Sequence, residues 1–154
     1  MEQKVKLHQV VIALGTNLGD KELNLKNAIS QIKSKLGEVS KISSIFKNSA
    51  VGFDSENEFF NACLICHTEL LPEQVLKVLQ EIEKILGRIK TKESYEDRII
   101  DLDIIFYEDF IVQTKNLQIP HPNYQERNFV LIPLLELSDF KDPKTAINIS
   151  QLVR

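Results

Sequence analysis

The chain has 154 residues, enough for one domain, and its 43% hydrophobic and 27% charged content with only 5 Gly and 5 Pro fits an ordinary globular protein rather than a disordered or collagen-like one. With 22 acidic against 19 basic residues the net charge is -3, which weighs against a protein devoted to a nucleic-acid backbone. The opening Met1-Glu2-Gln3-Lys4-Val5-Lys6 lacks the apolar run of a signal peptide, and no stretch approaches the roughly 20 apolar residues that cross a bilayer, so the expected address is the cytoplasm, without a membrane partner.

In chain order, Val10 to Leu14 is apolar and β-prone and predicts a first strand. Gly15-Thr16-Asn17-Leu18-Gly19-Asp20 then turns the chain, and Asp20 can cap a helix whose Leu25, Ala28, Ile29, Ile32 and Leu36 share one face before Gly37 closes it. The turn invites comparison with phosphate loops. It has neither G-x-x-x-x-G-K-[ST] nor G-x-G-x-x-G, however, and Asp20 would put negative charge where a phosphate should sit. Val39 to Lys47 and Phe59 to Leu70 predict two further strands. Pro72 then opens a second helix carrying Val75, Val78, Leu79, Ile82 and Leu86 before Gly87, each position being one of the first helix shifted by fifty. Arg98 to Tyr107 predicts a fourth strand.

Strand, helix, strand, strand, helix, strand is the order of the split βαβ, or ferredoxin-like, sandwich of the α+β class. It predicts one antiparallel sheet with both helices on one face and the other face open for a ligand. Beyond Tyr107 come a short apolar piece, Phe110 to Val112, and the segment Ile119-Pro120-His121-Pro122-Asn123, whose prolines exclude a regular helix. An apolar run from Phe129 to Leu137 predicts a helix despite Pro133, and a tail of weak signal completes a C-terminal extension.

The two cysteines spell Cys63-Leu64-Ile65-Cys66-His67, the attachment pattern of c-type haem and a C-x-x-C besides. On a strand, residues three apart point to opposite faces and cannot share a haem edge or a metal. A redox pair would sit at a helix N-terminus, which this segment does not provide. Buried structural thiols without a disulfide are the expectation, as suits a reducing compartment.

The strongest local signal for chemistry is Asp97-Arg98-Ile99-Ile100-Asp101-Leu102-Asp103-Ile104-Ile105-Phe106. Strand alternation puts Ile100, Leu102, Ile104 and Phe106 on one face and projects Asp101 and Asp103 together from the other. Two like charges side by side ask for a compensating cation. Hard carboxylate oxygens suit Mg²⁺, whose shell water and substrate phosphates complete; a polar outer face bridged by Arg98 or a lysine is the bland alternative. Upstream, Arg88, Lys90, Lys92 and Arg98 gather cations beside the acidic pair, an arrangement that phosphoryl transfer needs and that an ordinary solvated loop could also present. Arg127 could add another cation, and His121 is restrained by its flanking prolines. Asn61, inside the apolar Phe59-Phe60-Asn61-Ala62, needs hydrogen-bond partners if buried. Its amide could read a heteroaromatic ring stacked near Phe59, or it could be satisfied by neighbouring backbone.

Taken together, Ala13-Leu14-Gly15-Thr16-Asn17-Leu18-Gly19-Asp20, Phe60-Asn61-Ala62, Glu83 to Arg88, the D-R-x-x-D-L-D-I block, Pro120-His121-Pro122 and Arg127-Asn128-Phe129-Val130-Leu131 with Pro133-Leu134 resemble the 6-hydroxymethyl-7,8-dihydropterin pyrophosphokinases of folate biosynthesis. The resemblance covers about residues 8 to 138 and implies a single pyrophosphokinase domain over 1–154. It implies transfer of the β,γ-diphosphate of ATP to the pterin hydroxymethyl group, with Asp101 and Asp103 binding two Mg²⁺ ions. Arg88, Arg98, His121 and Arg127 would contact the ATP phosphates, Gln80 and Glu83 would help hold the nucleotide, and Ile104 would pack at the adenine. Asn61 would read a pterin lying between Phe59 and Phe129 and close to Asp101. Asn48, Val51 and Gly52 would line the pterin side, and the segments around 48 to 57 and 88 to 97 would close over the substrates.

Three departures from the family pattern are visible. Lys90 stands where arginine is common, giving a point charge for a bidentate fork. Tyr95 stands where tryptophan is frequent, and Asn48-Ser49-Ala50-Val51-Gly52 replaces a Thr-Pro-Pro-type stretch. None removes a metal ligand. The rival from another class is a non-catalytic ferredoxin-like module for nucleotide or RNA, which would display aromatics where this strand has Asp101 and Asp103. With all site parts within one chain, a monomer is expected.

Overall fold

The computed structural model describes residues 6–49, 58–87, 89–90, 96–97 and 99–153, with backbone alone at 49, 89, 90, 96 and 97. Strand β1 (His8–Thr16) leads through the glycine turn into helix α1 (Lys21–Lys35), then β2 (Gly37–Ile42), β3 (Phe46–Ser49), β4 (Glu58–Thr68), helix α2 (Pro72–Ile85), the short β5 (Ile89–Lys90) and β6 (Glu96–Asp97), β7 (Asp101–Tyr107), β8 (Val112–Gln113), β9 (Gln118–Ile119) and helix α3 (Asn128–Leu137). The main sheet has the order β2-β4-β1-β7, with β3 continuing along β4. Its pairs are antiparallel throughout, the ferredoxin-like arrangement the element order predicts.

The helices form where their apolar stripes and caps meet. Asp20 accepts from the Leu23 amide at 3.2 Å to start α1, while Leu25, Ala28 and Ile32 turn inward. Pro72 opens α2, whose inward face carries Val75, Leu79, Ile82 and, unexpectedly among them, Glu83. Both helices cover one face of the sheet over a core that includes Ile12, Leu14, Leu64, Leu102 and Ile104. Gly37, expected to close the first helix, instead opens β2: Leu36 is the cap, and a Cβ on Gly37 would lie 2.0 Å from the His67 carbonyl oxygen. The close approach of β2 to β4, rather than the helix end, requires glycine there.

The second face is less open than the sequence suggests. Helix α3 and the tail lie across it, burying Val130, Leu131, Leu134 and Ile149 against Val11, Cys63, Ile65 and Phe106. Phe106 therefore belongs to this face and not to the helix layer with Ile104. The pairing register slips between Val11 and Ile12, inserting Ile105 as an extra residue, so that Phe106 falls opposite Val11; such a bulge resets the side-chain alternation beyond it. The expected strand Val39 to Lys47 divides into β2 and β3. Between them Ser43 bonds Cys63 twice, its amide to the Cys63 carbonyl and its hydroxyl accepting from the Cys63 amide, each at 2.9 Å.

The cysteines separate as alternation requires: Cys63 joins the core under α3 and Cys66 the core under α1 and α2, both as free thiols. Burial pushes the Cys66 thiol up to about 11 and that of Cys63 further in the same direction. The weak-signal tail is pinned by Asp142, which is 1% exposed. It accepts from the Tyr124 hydroxyl at 2.5 Å and from the Lys144 amide at 2.7 Å. Among the described residues no helix is long and apolar enough to cross a membrane.

Candidate active site

With α3 covering the lower part of the second face, the free area lies at the end where β1 runs into its glycine turn and β7 begins. A cavity of about 420 Å³ opens there, lined by the end of β1 from Ala13 to Thr16 and Asn17 of the turn, by Asn48, Phe59 and Asn61 of β3 and β4, by Asp101 and Asp103 of β7, and by Arg127, Phe129 and Val130 at the start of α3. The register explains the convergence: Gly15 pairs with Asn61 on one side and with Asp101 on the other, so the central strand holds the amide and the carboxylate one strand apart on either flank. A Cβ on Gly15 would come within 3.3 Å of the Asn61 side-chain oxygen, so the missing side chain leaves that oxygen room.

Asn61 is 6% exposed, and its amide nitrogen donates to Asn48 Oδ1 at 2.5 Å and to the Phe46 carbonyl at 3.4 Å. Its donor side is thus spent on β3 while the residue still faces the cavity. Of the two readings left open by the sequence, satisfaction by neighbours is the one the structure shows, and those bonds fix the amide's orientation. Phe59 and Phe129 stand on the cavity wall, and the Arg127 guanidinium lies 5.8 Å from the centre of the Phe129 ring.

A second cavity, of about 330 Å³, lies along the outer edge of β7, between Leu76 of α2 and the 115–122 segment. Ile104, His121 and the stretch Lys115 to Gln118 line it, and Asp103 borders both cavities. His121 is anchored by its amide, which donates to the Ile105 carbonyl at 3.1 Å. Its Nδ1 accepts from the Asn123 amide at 3.1 Å, which leaves Nε2 to carry the proton of the neutral ring. Burial lowers the His121 titration below the usual imidazole range, the Asp103 carboxylate pulls it partly back up, and Arg127 lowers it again. The His121 imidazole therefore lies within electrostatic reach of both the Asp103 carboxylate and the Arg127 guanidinium.

Glu83, read from the sequence as a nucleotide contact, is 5% exposed and accepts from the Leu102 amide at 3.1 Å. Since β7 is an edge strand, its outward amides have no neighbouring strand, and Glu83 supplies the acceptor between the two aspartates. Gln80 is exposed on α2 and is not among the residues lining either cavity. Val51, Gly52, Arg88, Tyr95 and Arg98 lie outside the described residues, as does the side chain of Lys90. Thr16, Asn17, Val130, Leu76 and Leu117 line the cavities without having been singled out as site residues. The signal available for the first two was their place in the turn that ends the central strand.

A ferredoxin-like sandwich whose aromatic, amide-bearing pocket meets a second cavity at Asp103 has the concave, mostly apolar lining with a few polar groups that small-molecule sites present. The model of the 7,8-dihydro-6-hydroxymethylpterin-pyrophosphokinase family matches residues 11–139, and the chain belongs to that family. It is 38% identical over 128 residues to the 2-amino-4-hydroxy-6-hydroxymethyldihydropteridine pyrophosphokinase of Aquifex aeolicus, covering 83% of this chain and 79% of that one. It is 40% identical over 150 residues to the folic acid synthesis protein fol1 of Pneumocystis carinii, covering 97% of this chain but 20% of the larger protein. Among solved structures, wild-type HPPK-DHPS of Plasmodium falciparum superposes with a TM-score of 0.80 at 17% identity, over 98% of this chain and 45% of that one. At that identity the likeness speaks for the fold.

Proposed function

We propose that this protein transfers the β,γ-diphosphate of ATP to the hydroxymethyl group of 6-hydroxymethyl-7,8-dihydropterin, releasing AMP and the pterin diphosphate. The observation that carries the reading is the position of Asp103, which borders both cavities, with Asp101 beside it in the first. The pterin ring fits the aromatic pocket, with Asn61 presenting its fixed amide and Phe59 and Phe129 offering their rings. The nucleotide fits the second cavity, its base near Ile104 and its phosphates reaching past His121 and Arg127 toward the carboxylates.

Asp101 and Asp103 are the residues that would hold Mg²⁺. Among the described residues no cluster of three or more acidic, histidine or cysteine side chains surrounds a single point, so water and phosphate oxygens would complete the shell, a donor set that suits Mg²⁺. The ions, when bound, supply neutralisation of phosphate charge and activation of the hydroxyl. The chain's part is positioning. Asn61 and the two rings orient the hydroxymethyl group toward the β-phosphate, and Nε2 of His121 and the Arg127 guanidinium donate to phosphate oxygens. The hydroxyl oxygen bonds to the β-phosphorus as its proton is released to solvent and the bond from that phosphorus to the α,β-bridging oxygen breaks, and AMP leaves with the bridging oxygen. Arg88, Lys90, Tyr95 and Arg98 are assigned to the phosphates and the nucleotide on the family resemblance. With all assigned residues on one chain, a monomer in the cytoplasm is the proposed working form.

The test is incubation of the protein with Mg²⁺, ATP and 6-hydroxymethyl-7,8-dihydropterin, with AMP measured by chromatography. Pterin-dependent AMP that disappears in Asp101→Ala and Asp103→Ala, both still folded by circular dichroism, is the expected result. Nucleotide binding without turnover would favour a non-catalytic module, and full activity in either variant would refute the metal assignment.

A further inference from the structure

Thr16 ends the central strand and lines the first cavity, yet its hydroxyl is already engaged. It donates to the carbonyl of Ile99, two residues before β7 begins, and accepts from the side-chain amide of Asn24 at 3.2 Å. Asn24 in turn donates to the Leu18 carbonyl at 2.7 Å, so the glycine turn, the first turn of α1 and the approach to β7 are tied by one chain of hydrogen bonds. Thr16 is 2% exposed. With its proton directed to backbone and an oxygen lone pair taken by Asn24, it has little left to offer a ligand.

The position matters because of where the sheet stops. Pairing between β1 and β7 ends at Gly15 opposite Asp101. Beyond it the Ile99 carbonyl has no strand partner, and the Thr16 hydroxyl takes the place of the next ladder donor. The Ile99 side chain is held as well: its Cδ1 lies 2.7 Å from where a Cβ on Gly87 would stand, filling the space that glycine leaves. On the outer edge Glu83 holds the Leu102 amide. The strand end that carries both carboxylates is thus held by side chains on both sides, by Thr16 from the end of β1 and by Glu83 from α2.

We propose that Thr16 is a positioning residue for the carboxylate pair, anchoring the start of β7 so that Asp101 and Asp103 present a common metal-binding edge. The proposal rests on the reading of these two aspartates as Mg²⁺ ligands. Groups that orient metal ligands from behind are worth about 10–100-fold in metal affinity or activity. Thr16→Val keeps the shape and removes the hydroxyl; Thr16→Ser restores it.

Mn²⁺ binding, followed by electron paramagnetic resonance with α,β-methylene-ATP present, reads the anchor without turnover. Fluorescence titration with 6-hydroxymethylpterin reads the first cavity separately, and steady-state kinetics supplies kcat. In Thr16→Val, Mn²⁺ affinity and kcat should each fall by about tenfold or more while pterin affinity holds, and Thr16→Ser should recover both. Wild-type Mn²⁺ affinity and kcat in Thr16→Val would overturn the proposal, as would a loss confined to pterin affinity, which would make Thr16 a ligand contact. Asp101→Ala is the control: if it binds Mn²⁺ like the wild type, the metal reading itself fails, whereas loss there with an unaffected Thr16→Val overturns the anchor alone. Should Thr16→Val not fold, Asn24→Ala removes the bonds to the Thr16 hydroxyl and the Leu18 carbonyl while leaving Thr16 on Ile99, and should weaken Mn²⁺ in the same sense; unchanged affinity in that variant would also overturn the anchor.

Discussion

Removing one oxygen atom from Tyr124 should destabilise the protein measurably, because that oxygen joins the site segment to the tail. Tyr124 is 1% exposed and packs edge-on against Phe106 with ring centres 5.2 Å apart. Its hydroxyl donates to Asp142 Oδ2, where the other donor is Gln125 Nε2 at 3.3 Å, while Oδ1 is held by the amides of Lys144 and Thr145. Tyr124→Phe keeps the ring packing and leaves a buried carboxylate oxygen with only the longer bond. A hydrogen bond to a charged partner contributes roughly 1.5–3 kcal/mol, so a loss of about 2 kcal/mol is expected, or about 4–8 °C in Tm for a chain of this size. Burial first, and then Asp142, raises the Tyr124 titration above the ordinary tyrosine range. Its contribution is therefore fully present below about pH 10 and is lost as pH rises beyond that value, where the unfolded chain ionises first. Calorimetry from pH 7 to 11 should find the variant less stable at neutral pH and less steeply weakened at alkaline pH. A variant melting with the wild type at pH 7 would refute the assigned strength of the bond.

Two further outcomes follow from the same geometry. The Cys66 thiol, pushed from 9.0 to about 11 by burial, contributes stability that is intact below pH 9 and fades between pH 9 and 11; about 2–3 kcal/mol should disappear over that window, and Cys66→Ala should flatten this part of the denaturant-midpoint profile. Asn61→Leu removes the amide that bridges to Asn48 and faces the cavity, so pterin affinity should fall by about tenfold or more with nucleotide affinity retained, measured by separate fluorescence titrations.

The helices and the central strands were legible because burial imposes a period on them. Leu25, Ala28 and Ile32 recur as helix positions must, and the same spacing fifty residues later reports the second half of the fold. What local spacing could not report were events in the pairing between strands. Phe106 changes face because Ile105 is an extra residue against β1, and Ile105 is as apolar as its neighbours. The break at Ser43 depends on that residue meeting Cys63, twenty positions away. Glu83 was readable as a polar residue on an apolar helix face, which is itself a sign of a buried partner, but that partner is a backbone amide that no sequence pattern marks. For the site, the D-x-D strand and Asn61 stood out because charge and amide interrupt apolar runs; Thr16 did not, because a threonine after glycine in a turn is ordinary.

Placing the carboxylates on the edge strand solves one problem and creates another. On a central strand, Asp101 and Asp103 would be flanked by strands on both sides, and a nucleotide could not lie along the sheet beside them. At the edge, one flank carries the pocket shared with β1 and β4 while the other opens to the cavity that Ile104 and His121 line, so Asp103 reaches both. The cost is a strand end beyond which the pairing with β1 does not continue, where small shifts would separate the two carboxylates proposed to act together. The Thr16 hydroxyl on Ile99 and the Glu83 carboxylate on Leu102 supply partners there residue by residue. Glu83 lies on the buried face of α2 although burying a carboxylate is unfavourable, and its bond to the Leu102 amide offsets part of that cost. Its contribution belongs to the geometry of the pair, which is why a loss of activity on replacing it should be accompanied by weakened metal binding and not by weakened stacking of the ring in the first cavity.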